Sequence, residues 1–290
     1  MPIKWLTYDI ETTPLKAWAW RCGETRINHG MLDKAWNTYD IICITYCYSD
    51  GKPAKALHWG LGDGDSTKML AEFDKIIKHA QDNNIIIIGK NNKRFDDKHI
   101  NTHRWLNGQE AMPDWIKYTQ DLEQQLRKYF YLPSMSLDYV SELRGLGGKL
   151  KMEFSDWEYI VNYKRGKIME KSIGLVALKA ISLLVFGREW SVIKVEGPRA
   201  LQKMIDYGKK DAKDTLDLVL DVSKHCEFKS NVVQSKNDIH KCKECGSTNL
   251  KRNGKRVISG NVYQTFYCLD NNEYAGRALV KADGTSGKLL

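Results

Sequence analysis

The chain has 290 residues, 42% of them apolar, and 45 lysines and arginines against 36 acidic residues give it a formal net charge of +9. That is room for one medium α/β domain and a small module, the apolar share is ordinary for a globular protein, and the basic balance suits either a polyanionic partner or mere solubility. No signal segment is visible, seven cysteines are an odd and scattered set that argues against a disulfide scaffold, and the most apolar stretch, Ile173 to Gly187, falls short of the ~20 residues of a membrane span. The expected setting is reducing and cytoplasmic, away from membranes.

Ile3–Glu11 reads as the first strand, and its alternation puts Asp9 and Glu11 on one face with Ile10 on the other. Two adjacent carboxylates on one sheet face repel unless a cation sits between them. Lys16–Asn37, rich in Trp and Arg (Trp18, Trp20, Arg21, Arg26), either lines a substrate groove or packs as a long loop on its own aromatics. Ile41–Tyr48 is the second strand, with Cys43 and Cys47 as packed side chains. Ala54–Trp59 is the third, reached through the turn Asp50-Gly51-Lys52-Pro53. After a loop at Gly60–Ser66 and a helix at Thr67–Gln81, the apolar run Ile85–Ile88 is a buried strand stopped by Gly89, which delivers Asp96 to the start of a helix over Asp96–Trp105. Ile116–Thr119 is expected as the fifth strand, followed by helices at Asp121–Phe130 and Ser136–Leu143. Tyr159–Glu196 is longer than the motif spacing needs and is expected to hold an inserted helix, Ile173–Phe186, packed into the core. From Pro198 to about Lys224 the apolar residues keep helical spacing, so Tyr207 and Asp211, four apart, share a face. Asp97, Asp214 and Asp217 read as solvated helix faces.

Three motifs in order carry a resemblance: Asp9-x-Glu11 on a strand, Gly89-Lys90-Asn91 running to Phe95-Asp96, and Tyr207-x-x-x-Asp211 on a helix. Over roughly residues 1–224 the chain resembles the DnaQ-like 3′→5′ exonucleases of the ribonuclease H-like superfamily, in the subgroup with a tyrosine in its third motif, and is similar to phage-encoded members. Lys90 stands where the family often has histidine. The resemblance implies an α/β fold with a mixed five-stranded sheet flanked by helices, and a site for two Mg²⁺ or Mn²⁺ ions. Asp9 would bridge both ions, Glu11 and Asp211 would complete the one that activates water, Asp96 would support the other, and Tyr207 would orient the attacking water. Thr12, Leu15 and Asn91 would touch the nucleic acid, Leu15 as the apolar wedge at the terminal bases. Phosphodiester hydrolysis needs this kind of site because two hard cations on oxygen ligands activate water, neutralise phosphate charge and support the leaving oxygen.

Cys242-x-x-Cys245, a basic hairpin and Cys268 resemble the zinc ribbons of phage and transposon proteins, with Asn271 where the fourth cysteine normally stands. Structural zinc takes four protein ligands. His240 is the first alternative fourth ligand for one structural Zn²⁺ and Asp270 the second; a ribbon that folds without metal is the remaining reading. From His225 to Leu290 there are 11 basic residues against 6 acidic ones, and Lys251, Arg252, Lys255 and Arg256 in the hairpin are expected to contact phosphates. Tyr263, Phe266 and Tyr267 are expected to pack the small core.

The organisation expected is a catalytic domain over 1–224 with an insertion at about 159–196, a linker at 225–236, and a zinc-ribbon-like module over 237–290 ending in a loose tail. The expected function is removal of nucleoside monophosphates from the 3′ end of nucleic acid, DNA ahead of RNA, in a setting that resembles phage DNA metabolism in the host cytoplasm, beside replication or repair proteins. An RNA-directed or structure-specific nuclease and a non-catalytic nucleic-acid-binding accessory factor are the alternatives, because fold alone does not select among them.

Overall fold

The computed structural model describes residues 4–17, 19, 26–32, 39–59, 66–83, 85–109, 119–147, 150–228, 242, 244–245, 247–258, 261–280 and 286–289. Contacts divide the chain into two compact units, Met1–Val232 and Val233–Leu290.

The first unit is built on a five-stranded sheet of β1 (Trp5–Thr12), β2 (Ile41–Tyr48), β3 (Lys55–His58), β4 (Ile86–Gly89) and β5 (Gln120–Asp121), in the spatial order β3-β2-β1-β4-β5. β1, β2 and β3 are antiparallel neighbours, whereas β4 runs parallel to β1 and β5 parallel to β4. This is a mixed sheet, with helices on both sides: α1 (Ser66–Asp82), α2 (Asp96–Leu106), α3 (Leu122–Tyr129), α4 (Leu137–Leu143), α5 (Phe154–Ile173), α6 (Leu175–Phe186) and α7 (Trp190–Val222). Period-two alternation gives the sheet two apolar faces. Leu6, Tyr8 and Ile10 pack in one core with Phe73 and Ile77 of α1. Trp5, Ile86 and Ile88 pack in the other with Leu122 of α3, Val140 of α4 and Ala212 and Leu216 of α7. Burying each large aliphatic contributes about 1.5–3 kcal/mol, so the two cores fix the central strands against α1 and α7.

The structure departs from the sequence reading at several points. The fifth strand lies at Gln120–Asp121, because its pairing follows the end of β4 (Ile88 with Gln120, Gly89 with Asp121); residues 116–118 lie outside the described ones. α7 begins at Trp190, eight residues before Pro198, and runs through the proline. Pro198 costs the helix one backbone donor, but the packed face continues on both sides of it, with Ile193 before it and Ala200, Leu201 and Met204 after it all buried. Asp97 and Asp214 are not solvated: both are buried, Asp97 against Tyr8, Asn92 and Thr119, and Asp214 in an ion pair with Lys210 at 2.5 Å. Asp217, half-buried, pairs with Lys213. α6 is not a core helix either, since only Leu178, Ser182 and Phe186 of its twelve residues are buried. Trp18, Trp20, Arg21 and Cys22 lie outside the described residues.

The second unit is a four-stranded antiparallel sheet, β6 (Leu250–Ile258), β7 (Asn261–Cys268), β8 (Glu273–Val280) and β9 (Ser286–Leu289), in sequential order. The expected loose tail includes β9, which pairs with β8. Cys242, Phe266, Cys268, Ala275 and Ala278 form its small core. Among the described residues no helix is long and apolar enough to cross a membrane, and the cysteines Cys43, Cys47, Cys226, Cys242, Cys245 and Cys268 are free thiols.

Candidate active site

Three carboxylates converge where β1 ends. Asp9 and Glu11 alternate onto the β1 face that meets α7, and one oxygen from each lies within 4.8 Å of the other and of an Asp211 oxygen. Asp211 arrives there because α7 is anchored to the sheet by two threonine hydroxyls. Thr45 Oγ1 donates to the Gly208 carbonyl at 2.8 Å, and Thr7 Oγ1 donates to the Ala212 carbonyl at 2.8 Å. These carbonyls are one helical turn apart, and a carbonyl oxygen has a second lone pair free for such a bond. Gly208 permits the approach: a Cβ there would lie 2.9 Å from Thr45 Cγ2. Tyr207 and Asp211 each precede one of the anchored residues, so the anchors set their positions.

Asp96 reaches the same strand by another route. β4 pairs with β1 only through Trp5, Leu6 and Thr7, which leaves the later β1 amides without a strand partner on that side. The Asp96 carboxylate, buried at the first position of α2, accepts the Ile10 N–H at 2.9 Å. It therefore sits against the backbone between Asp9 and Glu11 without joining their group of three. Burial pushes its pKa up to about 7, against the lowering effect of the Ile10 bond. The start of α2 is held in turn by Asp97, which accepts hydrogen bonds from Tyr8 and from Thr119 (2.8 Å) and faces Lys93 at 3.2 Å, while Asn92 donates to the Tyr8 hydroxyl at 2.8 Å.

The cluster's negative field registers on its neighbours. Burial first, then the charges of Asp211, Glu11 and Asp9, push the Tyr207 phenol well above its ordinary pKa. Burial, Glu11 and Asp9 do the same to the Cys43 thiol, which lies opposite Glu11 in β2. A dense set of oxygen donors of this kind fits a hard divalent cation such as Mg²⁺ or Mn²⁺. A cleft of about 550 Å³ beside Tyr207 is lined also by Trp157, Lys151, Asp138, Glu142 and Glu153.

The other predicted contacts fall into place unevenly. Thr12 and Leu15 are half-buried just beyond the cluster. Asn91 adopts a left-handed conformation (φ 61°), and its N–H is held by Asp121 Oδ1 at 2.9 Å. Lys90 is engaged by Glu123 at 2.9 Å, so in this chain it serves as an intramolecular ion-pair partner beside the motif. Sequence reasoning missed Thr7, Thr45 and Gly208 as positioning residues; the available signal was a glycine inside a strongly periodic helix one residue after a motif tyrosine.

In the second unit Cys242, Cys245 and Cys268 bring their sulfurs within 4.8 Å of one another, a set that could hold a soft or borderline metal ion. Hydrogen bonds, foremost from the Cys245 backbone, hold the Cys242 thiol below its usual pKa range. Of the fourth-ligand alternatives, Asp270 is occupied by Ser247 and by Asn249 at 2.7 Å, and His240 lies outside the described residues. Asn271 donates its amide to Cys242 Sγ at 3.6 Å. Lys251, Arg252, Lys255 and Arg256 are all exposed on β6, whereas Phe266 is buried and Tyr263 and Tyr267 are half-buried.

No known family profile matches this chain, and no curated protein sequence matches it. Among solved structures it is similar to the family B DNA polymerase from the hyperthermophilic archaeon Pyrobaculum calidifontis, at 14% identity and a TM-score of 0.49 over 77% of this chain. The matched chain is much longer, and this one spans 25% of it.

Proposed function

We propose that the chain is a metal-dependent 3′→5′ exonuclease, acting on DNA in preference to RNA. The observation that carries the reading is the convergence of Asp9, Glu11 and Asp211 on one sheet face, with Tyr207 beside them on α7 and Asp96 bound to the intervening backbone. Two divalent ions at such a site supply the positive charge that activates water and neutralises the phosphate oxygens. Asp9, Glu11 and Asp211 would hold the first ion, and Asp96 would help to hold the second. Tyr207 keeps its proton at neutral pH, so its hydroxyl remains a donor or acceptor that can orient the attacking water. Leu15 and Thr12, half-buried at and beyond the end of β1 in sequence, would contact the 3′ end.

In the second unit the exposed cations of β6 would grip the phosphate backbone, and the three cysteines would hold one structural zinc ion. The wider setting is that of phage DNA metabolism. Asp9→Ala or Asp211→Ala is expected to abolish Mg²⁺-dependent cleavage while circular dichroism stays unchanged, and Tyr207→Phe to slow it less than loss of either ligand. Cleavage that survives Asp9→Ala would overturn the assignment.

A further inference from the structure

A cavity of about 400 Å³ opens at the end of the sheet away from the carboxylates, where β1 and β3 begin and β2 and α1 end. That volume lies within the range of small-molecule sites, about 300–1,000 Å³. Its base is held by the backbone. The Ser49 hydroxyl accepts the Trp5 N–H at 2.8 Å, and the Ser49 N–H donates to the Trp5 carbonyl at 3.0 Å. The wall is aromatic. Tyr48 meets both Tyr46 and His79 edge-to-face, with centroids 6.1 and 6.2 Å apart and planes at 89° and 80°, so the three rings border a recess instead of stacking shut.

Cations complete the lining. Lys4, Lys52 and Lys55 are all exposed there, against the one carboxylate of Asp50. Asp50 is engaged by Lys52, through the ammonium at 3.3 Å and the backbone N–H at 3.0 Å. Among the described residues Lys4 and Lys55 have no ion-pair partner. Three ammonium groups and one carboxylate leave the cavity at a net +2, a field that favours an anion.

The two halves of the lining select the ligand together. A carboxylate or free phosphate would use the lysines and leave the rings without a partner, and a neutral heterocycle would use the rings and leave the lysines. A nucleotide joins both chemistries in one molecule, a flat base that stacks on aromatic rings and a phosphate that ammonium groups neutralise. The cavity is separate from the candidate active site. Tyr46 and Tyr48 alternate onto the sheet face opposite that of Thr45, which pairs with Asp9 and anchors α7, and Trp5 stands about 13 Å from Asp9 along β1.

We propose that this cavity binds one nucleotide, its base against the Tyr48 ring and its phosphate held by Lys4 and Lys55. The nucleotide is either a free mononucleotide or one unit of a strand. The proposal does not rest on the nuclease reading.

The test is isothermal titration calorimetry of the full chain with dAMP, without added divalent ion, so that the bare carboxylates repel the phosphate. A Kd of about 10–500 µM is expected, with deoxyadenosine and inorganic phosphate each at least about tenfold weaker. Lys4→Ala combined with Lys55→Ala should weaken dAMP at least about fivefold, and Tyr48→Leu should do the same by removing the stacking ring. Both lysines are exposed, so their double variant keeps its fold, and circular dichroism checks this. A single strand of about ten nucleotides separates the sources: if the lysine variant also loses affinity for it, the cavity takes a nucleotide within a strand, and a loss confined to dAMP assigns it a free nucleotide. Absence of dAMP binding up to about 5 mM would overturn the proposal. So would binding unchanged in the lysine variant, or inorganic phosphate bound as tightly as dAMP.

Discussion

Gly208→Ala tests how α7 is seated on the sheet. In an exposed helix the change would stabilise by about 1 kcal/mol through helix propensity. Here the new Cβ would lie 2.9 Å from Thr45 Cγ2 and 3.2 Å from Thr45 Oγ1, and Thr45 is a buried residue of a central strand with no room to swing away. Overpacking of this kind costs about 1–3 kcal/mol, and displacing the helix also weakens the 2.8 Å bond from Thr45 to the Gly208 carbonyl, about 1 kcal/mol more. The net expectation is a loss of about 1–3 kcal/mol, or a Tm lower by roughly 3–10 °C. Because Tyr207 and Asp211 flank this close approach, Mn²⁺ affinity should fall along with stability. Thr45→Ser removes the nearer methyl and keeps the hydroxyl, so adding it to Gly208→Ala should recover part of both losses. Urea denaturation and Mn²⁺ titration of the two single variants and the double variant make the comparison. A more stable Gly208→Ala protein with unchanged Mn²⁺ affinity would refute the close approach and its positioning role.

Further expectations follow from the carboxylates and the second unit. Asp96 has its folded pKa raised to about 7, above an unfolded value near 3.9, so its contribution to stability is present below pH ~4 and lost as pH rises through 7. In the presence of chelator, Asp96→Asn should therefore be more stable than the wild type at pH 8, by no more than about 4 kcal/mol, with the gap closing toward pH 4; equal stability at pH 8 in urea titrations would contradict this. Asn271→Cys supplies the missing sulfur beside Cys242 and should tighten zinc binding at least about tenfold and convert the Co²⁺ absorption spectrum to an all-thiolate form; an unchanged affinity would mean that position 271 does not face the metal. Replacing Lys251, Arg252, Lys255 and Arg256 by alanine should weaken DNA binding and flatten its dependence on log salt by about 0.7 for each single-strand phosphate that is no longer neutralised, whereas an unchanged slope would assign phosphate binding to the first unit.

The sheet and its two packed faces were legible because alternation and apolar runs reflect burial directly. Asp9 with Glu11, and Tyr207 with Asp211, share faces by strand and helix periodicity alone. What escaped was set by tertiary partners. Asp97 and Asp214 look like ordinary helix-surface acids until Tyr8, Thr119 and Lys210 are placed against them. The anchors Thr7 and Thr45 are far from α7 in sequence, and nothing local marks the carbonyls they bind. α6 was misread for the opposite reason, because an apolar helix looks like core whether or not the domain covers its outer face. β5 was displaced because a two-residue strand has no periodicity of its own and takes its register from β4.

The most direct test of the central claim is a time course of purified protein with Mg²⁺ or Mn²⁺ on 5′-labelled single-stranded and duplex DNA and RNA, with Asp9→Ala alongside. The account predicts a ladder that shortens from the 3′ end, with nucleoside monophosphates released, fastest on DNA and absent in the variant and in chelator. Binding without cleavage of any substrate would contradict it and leave the carboxylate cluster in a non-catalytic nucleic-acid-binding protein.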